Sequence, residues 1–133
     1  MRTSRIMTTA LLIVGSGLAL HGAKAQQAGI QRTDLVQRDL GVPGREAVQV
    51  RVDFEPGAVS IKHSHPGEEV AYVLEGSLQY QLEGRAPVTL HAGETLFIPA
   101  GVAHLAKNVG DGRASELATY IVEKGTPLVV PVK

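Results

Sequence analysis

Residues 46–54 alternate well, with Val48, Val50, Val52 and Phe54 on one parity and Ala47, Gln49, Arg51 and Asp53 on the other. A period of two puts each set on its own face of a β-strand, so this stretch predicts a strand with one apolar face. Short apolar runs punctuated by Gly and Pro continue the pattern. They predict strands at 59–64 after Pro56-Gly57, at 70–74 after Pro66-Gly67, and at 77–82 beyond Gly76. The 70–74 run has an apolar character on both parities, so burial on both faces is expected, with 77–82 paired to it as a hairpin around Glu75-Gly76. Further strands are expected at 88–91, 95–98, 104–108 and 117–122. Pro127 and Pro131 suit a C-terminal edge strand at 128–132, because proline donates no ladder hydrogen bond.

Residues 32–40 alternate only weakly, and 26–31 read as a loose polar leader. No stretch carries a helical stripe. Many short strands with Gly/Pro breaks predict a single all-β domain, a sandwich or a barrel, with no repeat array.

The first 25 residues differ in character. Arg2 and Arg5 precede an apolar run from Ile6 to Leu20, and Ala23-Lys24-Ala25 offers a small-x-small cleavage site. This is the pattern of a secretory signal peptide, and the run falls short of the ~20 residues that span a bilayer. The expected division is 1–25 signal peptide, 26–44 leader and edge strand, and 45–133 barrel, with a periplasmic or secreted destination and no membrane anchor after cleavage. Losing Arg2, Arg5 and Lys24 takes the thirteen basic residues to ten against thirteen acidic, a net charge near −3. The remaining basic residues are scattered, which provides no footprint for nucleic acid. With no cysteine in the chain, disulfides and thiolate metal sites are excluded.

The candidate chemistry begins at His63-Ser64-His65. On a strand, positions i and i+2 share a face, so both imidazoles can approach one metal ion. Glu69 follows beyond the Pro66-Gly67 turn and can return a carboxylate to the same point. Glu68 is its rival, but has the opposite strand parity. The surrounding spacing is fuller still. Gly57 is followed by His63, His65, Glu69 and Gly76, and Gly93 by Pro99, Gly101, His104 and Asn108.

This resembles the two signature motifs of the cupin superfamily, G-x5-H-x-H-x3-E-x6-G and G-x5-P-x-G-x2-H-x3-N, with all ten positions filled. The resemblance spans 57–108 and implies a double-stranded β-helix, or jelly-roll, barrel holding one divalent transition metal through His63, His65, Glu69 and His104. Three imidazoles and a carboxylate suit Mn, Fe, Co, Ni, Cu or Zn, and leave open positions on a metal that prefers six ligands. The signature glycines and Pro99 would serve turns, and Asn108 a turn or a supporting contact rather than the metal. His91 is expected at an exposed strand end. Tyr72, Tyr80, Phe97, Tyr120 and Lys62 are candidates for contact with substrate, with plain packing or solvent exposure the simpler expectation for each.

Fold and metal leave the reaction open, since the superfamily hosts several chemistries and non-catalytic binders. The leading expectation is a metal-dependent oxidoreductase of dioxygenase type acting on a small chelating substrate such as an enol, catechol or flavonol. A non-enzymatic small-molecule or metal-binding protein and a metal-dependent isomerase or lyase are the alternatives. A homodimer is expected, because a small open barrel leaves strand edges that proteins normally cover.

Overall fold

The computed structural model describes residues 27–133; the expected signal peptide and its cleavage after Ala25 lie outside the described residues. Ten strands are present: β1 (Ile30–Asp39), β2 (Arg45–Phe54), β3 (His63–Ser64), β4 (Gly67–Glu75), β5 (Ser77–Leu82), β6 (Val88–His91), β7 (Thr95–Ile98), β8 (His104–Asn108), β9 (Ala114–Glu123) and β10 (Val130–Pro131). They form two five-stranded antiparallel sheets, ordered β1-β2-β9-β4-β7 and β10-β3-β8-β5-β6. The two sheets enclose one core, which is the all-β jelly roll the pattern predicts.

Alternation does the positioning. Val50, Val52 and Phe54 of β2 point inward against Ala118, Tyr120 and Val122 of β9, Ala71 and Val73 of β4, and Leu78 and Tyr80 of β5. Each large apolar side chain buried this fully contributes about 1.5–3 kcal/mol. The inward parity of β9 also includes Glu116, a carboxylate inside an otherwise apolar layer.

Several expectations are corrected. The 70–74 run is buried on one face only: Ala71 and Val73 are inside, while Val70, Tyr72 and Leu74 are exposed on the outer surface of the sheet. Nor does 77–82 form a hairpin with it. β4 pairs with β7 and β9, whereas β5 pairs with β6 and β8 in the opposite sheet, so Gly76 carries the chain across the sandwich. At Gly76 φ is +73°, and a Cβ would sit 2.6 Å from Arg113 O, so the crossing tolerates no side chain. The strand expected at 59–64 contracts to His63–Ser64, with only an isolated bridge between Val59 and Lys107 before it.

The described part of the supposed leader, 27–31, is not loose either. Ile30 is buried and opens β1, which pairs with β2 from Ile30↔Phe54 to Asp39↔Glu46 through one bulge between Asp34 and Val36. The weak alternation of this strand reflects its place at the sheet edge, where most of its side chains meet solvent. The C-terminal strand takes the edge position expected of it, against β3, but contracts from 128–132 to Val130–Pro131.

Candidate metal centre

His63 and His104 are direct cross-strand partners on β3 and β8, and His65 follows one residue beyond β3. Their ring centroids lie 4.5–5.0 Å apart in all three pairings. Glu69 reaches them from the facing sheet, on β4, between Ile98 of β7 and Tyr120 of β9. All four side chains are buried, with exposures of 8 % for His63 and 3 % for each of the others.

Glu69 gets there through a close approach at the start of β4. A Cβ on Gly67 would stand 1.9 Å from Ile121 O and 2.7 Å from Val122 Cα, so only glycine lets β4 lie this close to β9. Two residues on, Glu69 points inward, while Glu68 faces out and pairs with Arg45 at 3.2 Å. The two carboxylates therefore point to opposite sides of the sheet, as strand parity expects.

The protonation pattern is set by backbone. Nδ1 of His63 lies 2.7 Å from Ile61 O, that of His65 2.6 Å from Leu128 O, and that of His104 2.9 Å from Val102 O. A carbonyl oxygen only accepts, so each Nδ1 must be the donor, and in the neutral ring each Nε2 is left as a lone pair. One ligand atom from each of the three histidines lies within 4.8 Å of the others. Glu69 Oε2 is 3.0 Å from His65 Nε2 and 3.2 Å from His104 Nε2.

At 3.0 Å a hydrogen bond would be in reach, yet neither His65 Nε2 nor Glu69 Oε2 has a properly directed partner. With His65's proton committed to Leu128, the two atoms face each other lone pair to lone pair. Buried atoms in that state require a proton or a cation between them. The residues present thus fit a divalent metal: nitrogen and oxygen lone pairs converge, and no thiolate competes.

Burial holds His63 down at about pKa 4, so it stays neutral and able to ligate well below the usual range. Burial acts the same way on His104, but the neighbouring Glu69 carboxylate outweighs it and the ring is raised. Burial would raise Glu69, yet His104 and His65 bring it down to about 2.

A small cavity of about 20 Å³ opens beside these residues, with room for roughly one water. Its wall includes His63, Glu69 and His104 together with Arg32, Tyr80, Glu116 and Tyr120. Tyr120 packs against His65 with ring centroids 4.6 Å apart and planes tilted by 58°, and its hydroxyl accepts a 3.3 Å hydrogen bond from Arg32 Nη2. The Tyr80 hydroxyl donates a short hydrogen bond to Glu116 Oε2. Burial, reinforced by the negative charge of Glu69, lifts Glu116 to about 7. Both tyrosines are raised as well, burial being the main cause, and stay protonated.

Tyr80 and Tyr120 thus belong to the cavity wall, beyond plain packing. Tyr72 and Phe97 lie exposed on the outer surface, and Lys62 pairs with Glu83 at 3.2 Å. His91 is exposed at its strand end, with Nδ1 2.9 Å from Ser77 Oγ. Asn108 is buried and structural. Its amide nitrogen donates to Phe54 O, Glu55 O and Gly112 O, and its oxygen accepts from Gly110 N, tying the end of β2 to the turn between β8 and β9. Arg32 and Glu116 were missed by sequence reasoning. Glu116 carried a signal, since it shares the parity of Ala118 and Tyr120, whereas Arg32 sits in a strand too weakly patterned to show which side it faces.

The family model described as "Cupin domain" matches residues 50–120. A germin-like protein of subfamily 2 (member 2) from Arabidopsis thaliana is 32 % identical over 111 residues, covering 70 % of this chain and 51 % of its own length. An oxalate oxidase from Triticum aestivum is 32 % identical over 131 residues, covering 90 % of this chain and 58 % of its own. The chain thus spans about half the length of these relatives. Among solved structures, a recombinant oxalate oxidase in complex with glycolate superposes with a TM-score of 0.64 at 28 % identity, covering 82 % of this chain and 58 % of the other. A cupin-like protein from Thermotoga maritima gives 0.62 at 27 % identity, covering 78 % of each chain.

Proposed function

Because the chain belongs to the cupin domain family, we propose that it is an exported metal-dependent oxidoreductase, of dioxygenase type, acting on a small chelating substrate. The observation that carries this reading is the convergence of three Nε2 lone pairs with an unpartnered buried oxygen of Glu69. His63, His65, Glu69 and His104 would hold one divalent transition metal. That metal would supply Lewis acidity and bring dioxygen close to the substrate.

The chain's own residues do the rest. The three backbone carbonyls fix the imidazole tautomers, so the ligand geometry is set before anything binds. Tyr120 and Ile98 flank Glu69 on the neighbouring strands, where its carboxylate is buried. Glu116, with its carboxyl near neutrality, takes or returns a proton at the cavity wall, and Tyr80 donates to it throughout. A cavity with room for roughly one water must widen at its wall to admit even a two-carbon acid, and it disfavours a flavonol far more strongly. The oxalate oxidase relatives, one of them solved with glycolate, make two-carbon acids natural first candidates beside enols and catechols. A homodimer remains part of the proposal. β1 is engaged with its own barrel, so pairing would use the free edges of β1, β7, β6 or β10.

Elemental analysis of the purified protein, followed by an oxygen-uptake screen of these compounds, tests the reading. Close to one metal per chain with uptake supports it. One metal per chain without uptake of oxygen moves the protein to a non-enzymatic binder, and anaerobic turnover to an isomerase or lyase.

A further inference from the structure

We propose that Arg32 is the substrate-recognising residue of this site, and that it selects a carboxylate on the chelating molecule. The inference rests on the functional reading above and adds to it the residue and the chemical class.

Arg32 lies on β1, outside the region that the family model matches. Its position in the sheet places it at the end of an inward-facing row that runs Arg32–Val52–Glu116–Val73 across β1, β2, β9 and β4. Val52, Glu116 and Val73 are all buried, so the row points into the barrel and the arginine goes with it. The guanidinium lines the same cavity as His63, Glu69 and His104. It is held by Tyr120, whose ring packs on His65, so the arginine is fixed relative to the ligand cluster through a single side chain.

What it lacks is a carboxylate. Arg45, Arg51 and Arg113 each close an ion pair, at 3.2, 3.0 and 3.5 Å. Arg32 closes none among the described residues, although Glu116 and Glu69 both contribute a favourable charge at longer range. One of its five N–H donors is used, in the 3.3 Å contact to Tyr120. A partly buried guanidinium with most of its donors free, facing a metal-ligand cluster, is a planar fork awaiting a planar anion. A carboxylate matches that fork bidentately, while its neighbouring oxygen is free to ligate. Tyr120 and Glu116 limit the space beside it, so only a small acid fits, and it must displace part of this wall to enter.

The test compares glycolate with glycolamide, which has the same size but no carboxylate, on the zinc-loaded full-length mature protein. Calorimetry gives the affinity for each, and the glycolate-to-glycolamide ratio cancels effects common to both. In Arg32→Gln that ratio should fall about tenfold to a hundredfold, the scale of a lost charge-assisted bidentate contact. Arg32→Lys should retain part of it, and metal content and melting temperature verify that both variants are folded and loaded. An unchanged ratio in loaded Arg32→Gln overturns the proposal. A wild-type ratio near one also overturns it. Failure of the wild-type protein to take up metal is seen before any acid is added, and overturns the functional reading and this proposal together.

Discussion

Replacing Glu116 by glutamine preserves side-chain shape and an acceptor for the Tyr80 hydroxyl, but removes the titration. In the folded chain this carboxyl sits at about 7 against an ordinary 4.5, because it is buried and because Glu69 adds negative charge. A raised folded value means that the protonated form is preferred on folding. That preference is fully available below pH 4.5 and disappears as pH rises through 7. The displacement corresponds to on the order of 3 kcal/mol, at about 1.4 kcal/mol per pH unit. Wild-type protein should therefore lose about that much stability relative to Glu116→Gln between pH 4.5 and 8.5. Urea unfolding of both metal-stripped proteins across this range measures the gap, and the other titrating groups largely cancel in the difference. Zinc offsets the charge of Glu69, so loading the site should narrow the gap at pH 8. A gap that stays constant from pH 4.5 to 8.5 would refute the reasoning, because it would mean that Glu116 ionises as freely inside the barrel as outside it.

Other outcomes follow from the same structure. His63→Ala, His65→Ala, His104→Ala and Glu69→Gln should each lower metal content by elemental analysis to less than about half of wild type, with His91→Ala unchanged; equal loss from His91→Ala would misplace the site. Acidification should release the metal with His104, whose value is raised, protonating ahead of His63, which stays neutral to about 4, and full occupancy at about pH 4 would count against the ligand set. Gly67→Ala should cost more than about 3 kcal/mol in urea unfolding, since its Cβ meets backbone at 1.9 Å and nothing flexible can yield; a near-native midpoint would show that β4 and β9 can part. Protein recovered from its native host should begin at Gln26 by mass spectrometry, and an intact Met1 in the cytoplasm would defeat the export proposal.

Three of the four candidate ligands were legible from short-range geometry. His63 and His65 share a face by strand period, and Glu69 is separated from Glu68 by parity alone, which the ion pair of Glu68 with Arg45 on the outer surface bears out. His104 needed the second motif, because nothing local shows that β8 lies beside β3. Sheet membership was the harder quantity. Residues 70–74 and 77–82 look like a hairpin because a glycine and a short gap separate them. The spacing is equally compatible with a chain that crosses from one sheet to the other, and only the packing of Gly76 against Arg113 and Ala114 decides.

The cavity wall depends on that harder quantity, which is why its two charged members escaped notice. A carboxylate at an inward position of an apolar strand is costly to bury, so it persists only with a partner or a task. Glu116 meets the criterion once β9 is begun at Ala114 rather than at 117, and its parity then matches Ala118, Tyr120 and Val122. Arg32 offers no such clue in its own neighbourhood. Its inward orientation follows from pairing with Val52, which pairs in turn with Glu116, so three strands must be placed before the arginine can be. A site of this kind divides accordingly. The residues that would hold a metal are marked by spacing within two sequence motifs, and those that would choose the substrate by the order of strands across a sheet.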